Sequence, residues 1–251
     1  MTRLGWMLII VLAVVGAASA QDVFDRVEHS YADNDGVRIH YASLGEGPLV
    51  VMIHGFPDFW YTWRDQMAAL SSEYHVVAVD LRGYNRSDKP DGVAAYAMPN
   101  HLADIAAVIQ HTGEESATIV GHDWGGAVAW SFALTHPEMT DKLVILNLPH
   151  PNGLARELRT NPQQYENSAY ARTFQEKDPD DPTVLFGRPM TPETLAFWVT
   201  DPDARARYVE AFERSDFAGM LNMYKANYPG GKPGDDLPPP APQATMPVLM
   251  F

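Results

Sequence analysis

Short, largely apolar runs alternate with longer segments of helical character along the first 148 residues. A strand that is covered on both faces has this apolar pattern, whereas a helix places apolar residues three or four positions apart. The predicted strands are Val27–Ala32, Val37–Ser43, Leu49–Ile53, Val76–Val79, Ala117–Val120 and Leu143–Leu146, and the predicted helices are Tyr61–Leu70, Leu102–Gln110 (with Asn100 as N-cap) and Trp124–Thr135. Strands that alternate with helices predict an α/β fold with a mostly parallel, doubly wound sheet.

The pattern changes at Pro149, after which no run typical of a buried strand occurs until about Pro233. Helix starts are indicated by Thr191-Pro192 and Asp201-Pro202, and a further helix is predicted for Phe217–Asn227. We therefore predict a helical cap at residues 149–234, inserted into a core that occupies residues 21–148. Residues 235–251 are predicted to be a proline-rich return linker and the start of one more core strand at Val248.

The N-terminus has the features of a secretory signal peptide. Arg3 is followed by an apolar run, Leu4–Ala18, and by the small residues Ala18-Ser19-Ala20 before Gln21. The run is shorter than the roughly 20 apolar residues that span a membrane. We predict a signal peptide at residues 1–20, a mature protein that is secreted or periplasmic, and no stable membrane span after cleavage near Ala20. An uncleaved N-terminal anchor is the alternative.

Composition narrows the possible chemistry. The formal net charge of -14 argues against nucleic acid as a partner, because a phosphate backbone requires a basic surface. The chain has no cysteine, which excludes disulfides, a thiol nucleophile and thiolate metal sites. Nothing in the sequence indicates a metal or an organic cofactor, and it does not determine the oligomeric state.

The segment Gly121–Gly125 (GHDWG) joins a predicted strand to a predicted helix. This is the spacing of a nucleophile elbow, in which a sharp turn requires small flanking residues and places the central side chain above the sheet edge. The helix N-terminus favours a negative charge there. The sequence therefore predicts Asp123 as a nucleophile, and an aspartate in an ordinary turn is the alternative.

An aspartate is ionised at neutral pH and can displace a leaving group at saturated carbon, forming an ester with the protein. Epoxides and alkyl halides are substrates of this kind. Water then attacks the ester carbonyl, and two backbone N–H groups are needed to bind the oxyanion. We predict Trp124 and Phe56 as these donors, the latter in the loop His54–Pro57 after a buried strand.

Together these motifs resemble the epoxide hydrolases of the α/β-hydrolase superfamily, from about Val37 to Phe251. The resemblance rests on HGFP at 54–57, WYTWR at 60–64, DLRGY at 80–84 with Ser87 and Pro90, and GHDWGG at 121–126. Haloalkane dehalogenases share the elbow but usually carry Asn at the place of Phe56. Haloacetate dehalogenases usually have arginines after the nucleophile, where this chain has Trp124 and Ala127.

The resemblance also implies two cap tyrosines that hold the epoxide oxygen, and Tyr170 and Tyr224 match them. Tyr165 and Tyr228 are their nearest alternatives, and a packing role is the competing interpretation for the tyrosines. Phenols suit the role because their ordinary pKa near 10 keeps them protonated. The expected ligands are a small hydrophobic epoxide and water.

The resemblance further implies a histidine base and an acid after the strand that begins at Val248, and the sequence stops before either. His122 is expected to point away from the nucleophile, His54 to be structural, and His150 is the least implausible substitute. Asn147 occupies the alternative acid position without a carboxylate. We therefore expect a truncated chain without the last strands and helix. A dehalogenase and a non-catalytic binding remnant remain the alternatives to an epoxide hydrolase.

Overall fold

The computed structural model describes residues 22–237 and 239–251, and the predicted signal peptide lies outside them. Seven strands form one sheet in the order β1-β2-β4-β3-β5-β6-β7. The strands are β1 (Glu28–Asn34), β2 (Val37–Leu44), β3 (Leu49–Ile53), β4 (His75–Val79), β5 (Ala117–His122), β6 (Thr140–Leu146) and β7 (Val248–Met250). The pairs among β3 to β7 are parallel, and β1, β2 and β4 pair antiparallel. The predicted α/β-hydrolase fold class is confirmed.

Ten α-helices accompany the sheet in the described part of the chain. They are α1 (Val23–Arg26), α2 (Arg64–Leu70), α3 (Met98–His111), α4 (Trp124–Thr135), α5 (Pro151–Thr160), α6 (Pro162–Asn167), α7 (Ala169–Glu176), α8 (Pro192–Leu195), α9 (Pro202–Glu213) and α10 (Phe217–Asn227). Helices α5 to α10 lie between β6 and β7 in the sequence, in the predicted cap region. Strand β3 is buried at every position, as its uninterrupted apolar run predicts.

Two local predictions are wrong. The segment from Tyr61 is not one helix, because Trp60–Trp63 forms a 3₁₀ turn before α2 begins at Arg64. Asn100 is not an N-cap, because α3 already begins at Met98. The free N–H of Met98 is instead bound by the side chain of Asn227 from α10, at 2.7 Å. A distant residue thus supplies the capping group.

Contacts between the cap helices and the core lie close to the ends of the parallel strands. Tyr208 of α9 donates a hydrogen bond to Asp58 in the loop after β3, at 2.8 Å. Asn85 makes two more: its N–H donates to the Ser215 hydroxyl at 2.8 Å, and its side-chain oxygen accepts from Arg214 at 2.9 Å. These bonds hold the cap over the carboxyl ends of β3 to β6, where α/β sheets bind ligands. No helix within 22–237 or 239–251 has the length and apolarity to span a membrane.

Candidate active site

The turn between β5 and α4 holds Asp123 in a conformation that few residues other than glycine adopt. Its φ is 52° and its ψ is −124°, and backbone strain of this kind costs on the order of 1–3 kcal/mol. A Cβ on Gly121 would lie 2.3 Å from the carbonyl oxygen of Gly125, and a Cβ on Gly125 would lie 2.0 Å from that of Ile53. The close approach of the backbone therefore requires both glycines, and Asp123 stands at a strained elbow.

The Asp123 carboxylate lies against the predicted pair of backbone donors. The N–H of Phe56 donates to Asp123 Oδ1 at 2.8 Å, and the adjacent N–H of Trp124 also lowers the pKa of this carboxyl. Burial raises the pKa of Asp123 above its ordinary value, and the two N–H groups oppose this by stabilising the anion. Gly55 is necessary for the contact, since a Cβ there would lie 2.4 Å from Asp123 Oδ1.

The two cap tyrosines line the same cavity as the Asp123 carboxylate. Tyr170 on α7 and Tyr224 on α10 have ring centroids 6.5 Å apart, and Tyr224 packs edge-on against Trp124 at 4.9 Å. Burial and the negative charge of Asp123 raise the pKa of Tyr170 to about 12, and the same causes raise that of Tyr224 well above its ordinary value. Both phenols are therefore protonated at neutral pH.

Of the two neighbouring tyrosines, Tyr228 lies in the same cavity and stacks on Tyr224 with a centroid distance of 6.4 Å. Tyr165 instead packs against Arg172. The central guanidinium carbon of Arg172 lies 3.8 Å from the centroid of the Tyr165 ring. The structure thus brings together Asp123, Phe56, Trp124, Tyr170 and Tyr224, and it separates Tyr165 from them.

These side chains border a cavity of about 180 Å³ between the core and the cap. Its walls are mostly apolar. The lining residues are Met98, Asp123, Trp124, Ala127, Ser131, Leu148, Pro149, Pro151, Leu154, Tyr170, Tyr224, Asn227, Tyr228 and Pro229. Asp123 is the one charged residue among them. A concave, apolar space with a few convergent polar groups is typical of a small-molecule site.

The three histidines that were considered as bases do not line this cavity. His54 is buried, with Nδ1 2.8 Å from the Gly55 carbonyl oxygen, and its Nε2 accepts from the Leu81 N–H at 3.1 Å. Burial lowers the pKa of His54 to about 4, and it is a neutral structural residue as predicted.

The other two histidines have different contacts. His122 Nε2 lies 3.0 Å from Asn147 Nδ2, and the N–H of Asp123 donates to Asn147 Oδ1 at 3.3 Å. Asn147 therefore steadies the elbow rather than orienting a base. His150 caps α5 by accepting from the Asn152 N–H at 3.2 Å, and its ring lies 4.9 Å from that of Trp130.

Asp58 is a buried carboxyl that the charge of Asp123 influences, and the sequence pattern does not predict it. Its Oδ1 accepts from the Phe59 N–H at 2.9 Å and from the Tyr208 hydroxyl at 2.8 Å. Burial raises the pKa of Asp58 to about 7, and the charge of Asp123 adds to the increase. The available signal was a single acidic residue inside the aromatic-rich segment from Phe56 to Trp63. Among the described residues, no cluster of three His, Asp or Glu side chains could hold a metal ion.

Comparison with known proteins agrees with this geometry. Residues 48–223 match the family model described as alpha/beta hydrolase fold. The chain is 39% identical over 214 residues to the AB hydrolase superfamily protein YfhM of Bacillus subtilis, covering 80% of this chain and 74% of that protein. It is 42% identical over 144 residues to epoxide hydrolase 4 of Mus musculus, covering 57% of this chain but only 40% of the mouse protein.

Solved structures give the same relationship. A mutant of an epoxide hydrolase from Bacillus megaterium, complexed with its product (R)-3-[1]naphthyloxy-propane-1,2-diol, superposes with a TM-score of 0.69 at 38% identity. The match covers 78% of this chain and 71% of that one. The chain therefore belongs to the α/β-hydrolase family and, within it, to the epoxide hydrolases.

Proposed function

We propose that this protein opens epoxides through an ester with Asp123, and that the complete reaction gives a vicinal diol. The observation that carries the proposal is the position of Asp123. It is strained at the elbow, bound by the Phe56 N–H at 2.8 Å, and borders the cavity that Tyr170 and Tyr224 also line. The family relationship supports the same reaction.

In the first step a carboxylate oxygen of Asp123 attacks an epoxide carbon. The new carbon–oxygen bond forms as the strained ring bond to the epoxide oxygen breaks, and the electron pair passes to that oxygen. Tyr170 and Tyr224 hydrogen-bond the oxygen, and one of them gives it a proton. The transfer is favourable even from phenols with raised pKa values, because an alkoxide is about as basic as hydroxide and much more basic than a phenolate.

The electrostatics of the site also favour proton donation after attack. The negative charge of Asp123 is one cause of the raised pKa of both tyrosines. That charge disappears when the carboxylate becomes an ester, so the phenols become stronger acids as the alkoxide forms. The phenols therefore remain protonated before the attack, and they donate a proton more readily during it.

In the second step water attacks the carbonyl carbon of the Asp123 ester. The N–H of Phe56 already binds this carboxyl group, the N–H of Trp124 is adjacent to it, and the two would stabilise the resulting oxyanion. This step also requires a base, and neither His54, His122 nor His150 lines the cavity. We therefore expect the described residues to complete the first step, and we expect the ester to accumulate.

The cavity supports a neutral substrate with an apolar substituent. Among the described residues that line it, none has a cationic side chain that could pair with an anionic group, and the charge of Asp123 would repel such a group. The Bacillus megaterium enzyme was crystallised with a diol that carries a naphthyloxy group, which is neutral and largely apolar. We infer a monosubstituted epoxide of this general kind.

Intact-mass spectrometry after incubation with styrene oxide tests the proposal. We expect an increase equal to the mass of one epoxide, located by peptide mapping at Asp123, and its absence in Asp123→Asn. Asp235→Asn, an exposed change of the same type in the linker, should still give the adduct. Absence of both adduct and diol, or an adduct that survives Asp123→Asn, would refute the proposal. Halide release from alkyl halides, without reaction with epoxides, would favour a dehalogenase.

We also propose that residues 1–20 direct the protein out of the cytoplasm and are then removed. The support is the basic start, the apolar run Leu4–Ala18 and the Ala18-Ser19-Ala20 site. N-terminal sequencing of protein from a secreting host should begin at Gln21. Recovery of the chain with its first residues intact would contradict this and favour an anchor.

A further inference from the structure

We propose that Ser131 is a specificity-determining residue, whose hydroxyl binds a polar atom at the distal end of an elongated, neutral epoxide. This inference rests on the proposed function and names the substrate class more closely. The epoxide ring lies at Asp123, an apolar segment follows, and an ether, hydroxyl or carbonyl oxygen reaches Ser131.

The geometry comes from helix α4. Trp124, Ala127 and Ser131 are at positions i, i+3 and i+7 of this helix, and all three line the cavity. Residues with this spacing share one face of a helix. Because a helix rises about 1.5 Å per residue, Ser131 lies about 10 Å along the axis from Trp124. The cavity therefore extends from the nucleophile for about two turns of α4.

The chemistry of the walls changes along that length. The phenols lie at the end marked by Trp124, which is 4.9 Å from Tyr224 and 6.4 Å from Tyr228 by ring centroids. Ala127 lies between Trp124 and Ser131 on this face of α4, and the apolar residues Leu148, Pro149, Pro151 and Leu154 also line the cavity. A ligand that follows this path meets a polar end, an apolar middle and a second polar end.

Ser131 is also available for a ligand. The residue is half-buried, and its hydroxyl makes no hydrogen bond to another residue in the part of the chain that the structure describes. The side-chain amide of Asn227 also lines the cavity, but it already makes hydrogen bonds within the protein. It donates to the carbonyl oxygens of Tyr96 at 2.7 Å and Met223 at 2.9 Å, and it accepts from the Met98 N–H at 2.7 Å.

A pair of matched substrates tests the inference. One is a linear alkyl epoxide, and the other carries an ether oxygen in place of the methylene about 10 Å from the ring. We compare the rate constants for adduct formation at Asp123 in the wild type and in Ser131→Ala. The ether-to-alkyl ratio should fall roughly three- to tenfold in Ser131→Ala, which is the contribution of one neutral hydrogen bond.

Thr135→Val is the matched control, because Thr135 lies one turn farther along α4 and its hydroxyl is bound to the Ser131 carbonyl oxygen at 2.7 Å, outside the cavity wall. This variant should keep the wild-type ratio. An unchanged ratio in Ser131→Ala would overturn the inference.

Equilibrium binding of the two corresponding diols, followed by tryptophan fluorescence, separates this inference from the proposed function. Adduct formation without a Ser131-dependent preference refutes the distal subsite alone. A Ser131-dependent preference for the ether diol without any adduct refutes the proposed chemistry and supports the subsite.

Discussion

Replacement of Asp58 by asparagine should stabilise the protein at alkaline pH and have little effect at acidic pH. In the folded protein the pKa of this carboxyl is about 7, against 3.8 for a free aspartate. The main cause is burial, which disfavours the ionised form. Asparagine resembles the protonated acid in shape, and its Oδ1 can still accept from the Phe59 N–H and the Tyr208 hydroxyl.

The sign of the effect follows from proton binding. Between about pH 4 and pH 7 the unfolded chain has released the Asp58 proton while the folded protein retains it, so stability falls as pH rises. The contribution is fully present below about pH 4 and is lost above the folded pKa of about 7. Its ceiling is about 4 kcal/mol, at roughly 1.36 kcal/mol for each unit of pKa difference. Between about pH 5.5 and 8.5 the expected change is about 2 kcal/mol.

Urea unfolding of both proteins at about pH 5.5 and 8.5 measures this difference. Both values avoid the isoelectric point near 4.9, where solubility is lowest. The advantage of Asp58→Asn should grow by about 2 kcal/mol at the higher pH, or by roughly 4–8 °C in melting temperature. Asp236→Asn, at an exposed position in the linker, should show no such growth. An equal effect of Asp58→Asn at both pH values would refute the reasoning.

Three further outcomes follow from the site. Gly125→Ala places a methyl group 2.0 Å from a backbone carbonyl oxygen. This change should lower the free energy of unfolding, measured with urea, by about 3 kcal/mol or more. Gly153→Ala is the control and should fold normally, because the nearest atom to its new methyl group is 3.7 Å away. Tyr170→Phe and Tyr224→Phe should each slow adduct formation by roughly 10²–10⁴-fold in a mass-spectrometric time course, and near wild-type rates would show that these phenols are packing residues. The rate of adduct formation should fall as pH drops through the raised pKa of Asp123, because the protonated acid is not a nucleophile. The rate should stay level from about pH 8 to 10, because the pKa of Tyr170 is about 12. A decline between about pH 8 and 10 would argue against phenol donors.

The elbow could be predicted from sequence because its constraint is local. A strained turn and a close backbone approach require glycine at fixed distances from Asp123, and Gly121 and Gly125 occupy those places. The alternation of apolar runs gave the order of strands and helices for the same reason. Where neighbouring residues alone set the constraint, as at the elbow, the prediction was accurate, whereas the exact starts of α2 and α3 were not predicted.

The remaining features depend on contacts between distant parts of the chain. Burial raises the pKa of Asp58, and one residue packed against it is Tyr208, 150 residues away in sequence, whose hydrogen bond opposes the increase. The start of α3 could not be located from local capping residues, because Asn227 of the cap supplies the partner of the Met98 N–H. The two catalytic candidates Tyr170 and Tyr224 were identified through family resemblance, since helical spacing alone equally fits packing residues.

The site is divided between the core and the cap. The hydrogen bonds that hold the cap to the core therefore have a role in the proposed chemistry. The candidate nucleophile Asp123 belongs to the core elbow, whereas both candidate proton donors belong to cap helices. Asn227 joins these parts, because it binds the Met98 N–H and the Tyr96 carbonyl oxygen while it lies one helical turn from Tyr224. A shift of α10 against the core would move the Tyr224 phenol relative to Asp123, and small displacements of this kind cost a large fraction of a catalytic rate. In the proposed reaction, the polar contacts that hold the cap to the core would therefore affect the rate, because they fix the distance between Asp123 and Tyr224.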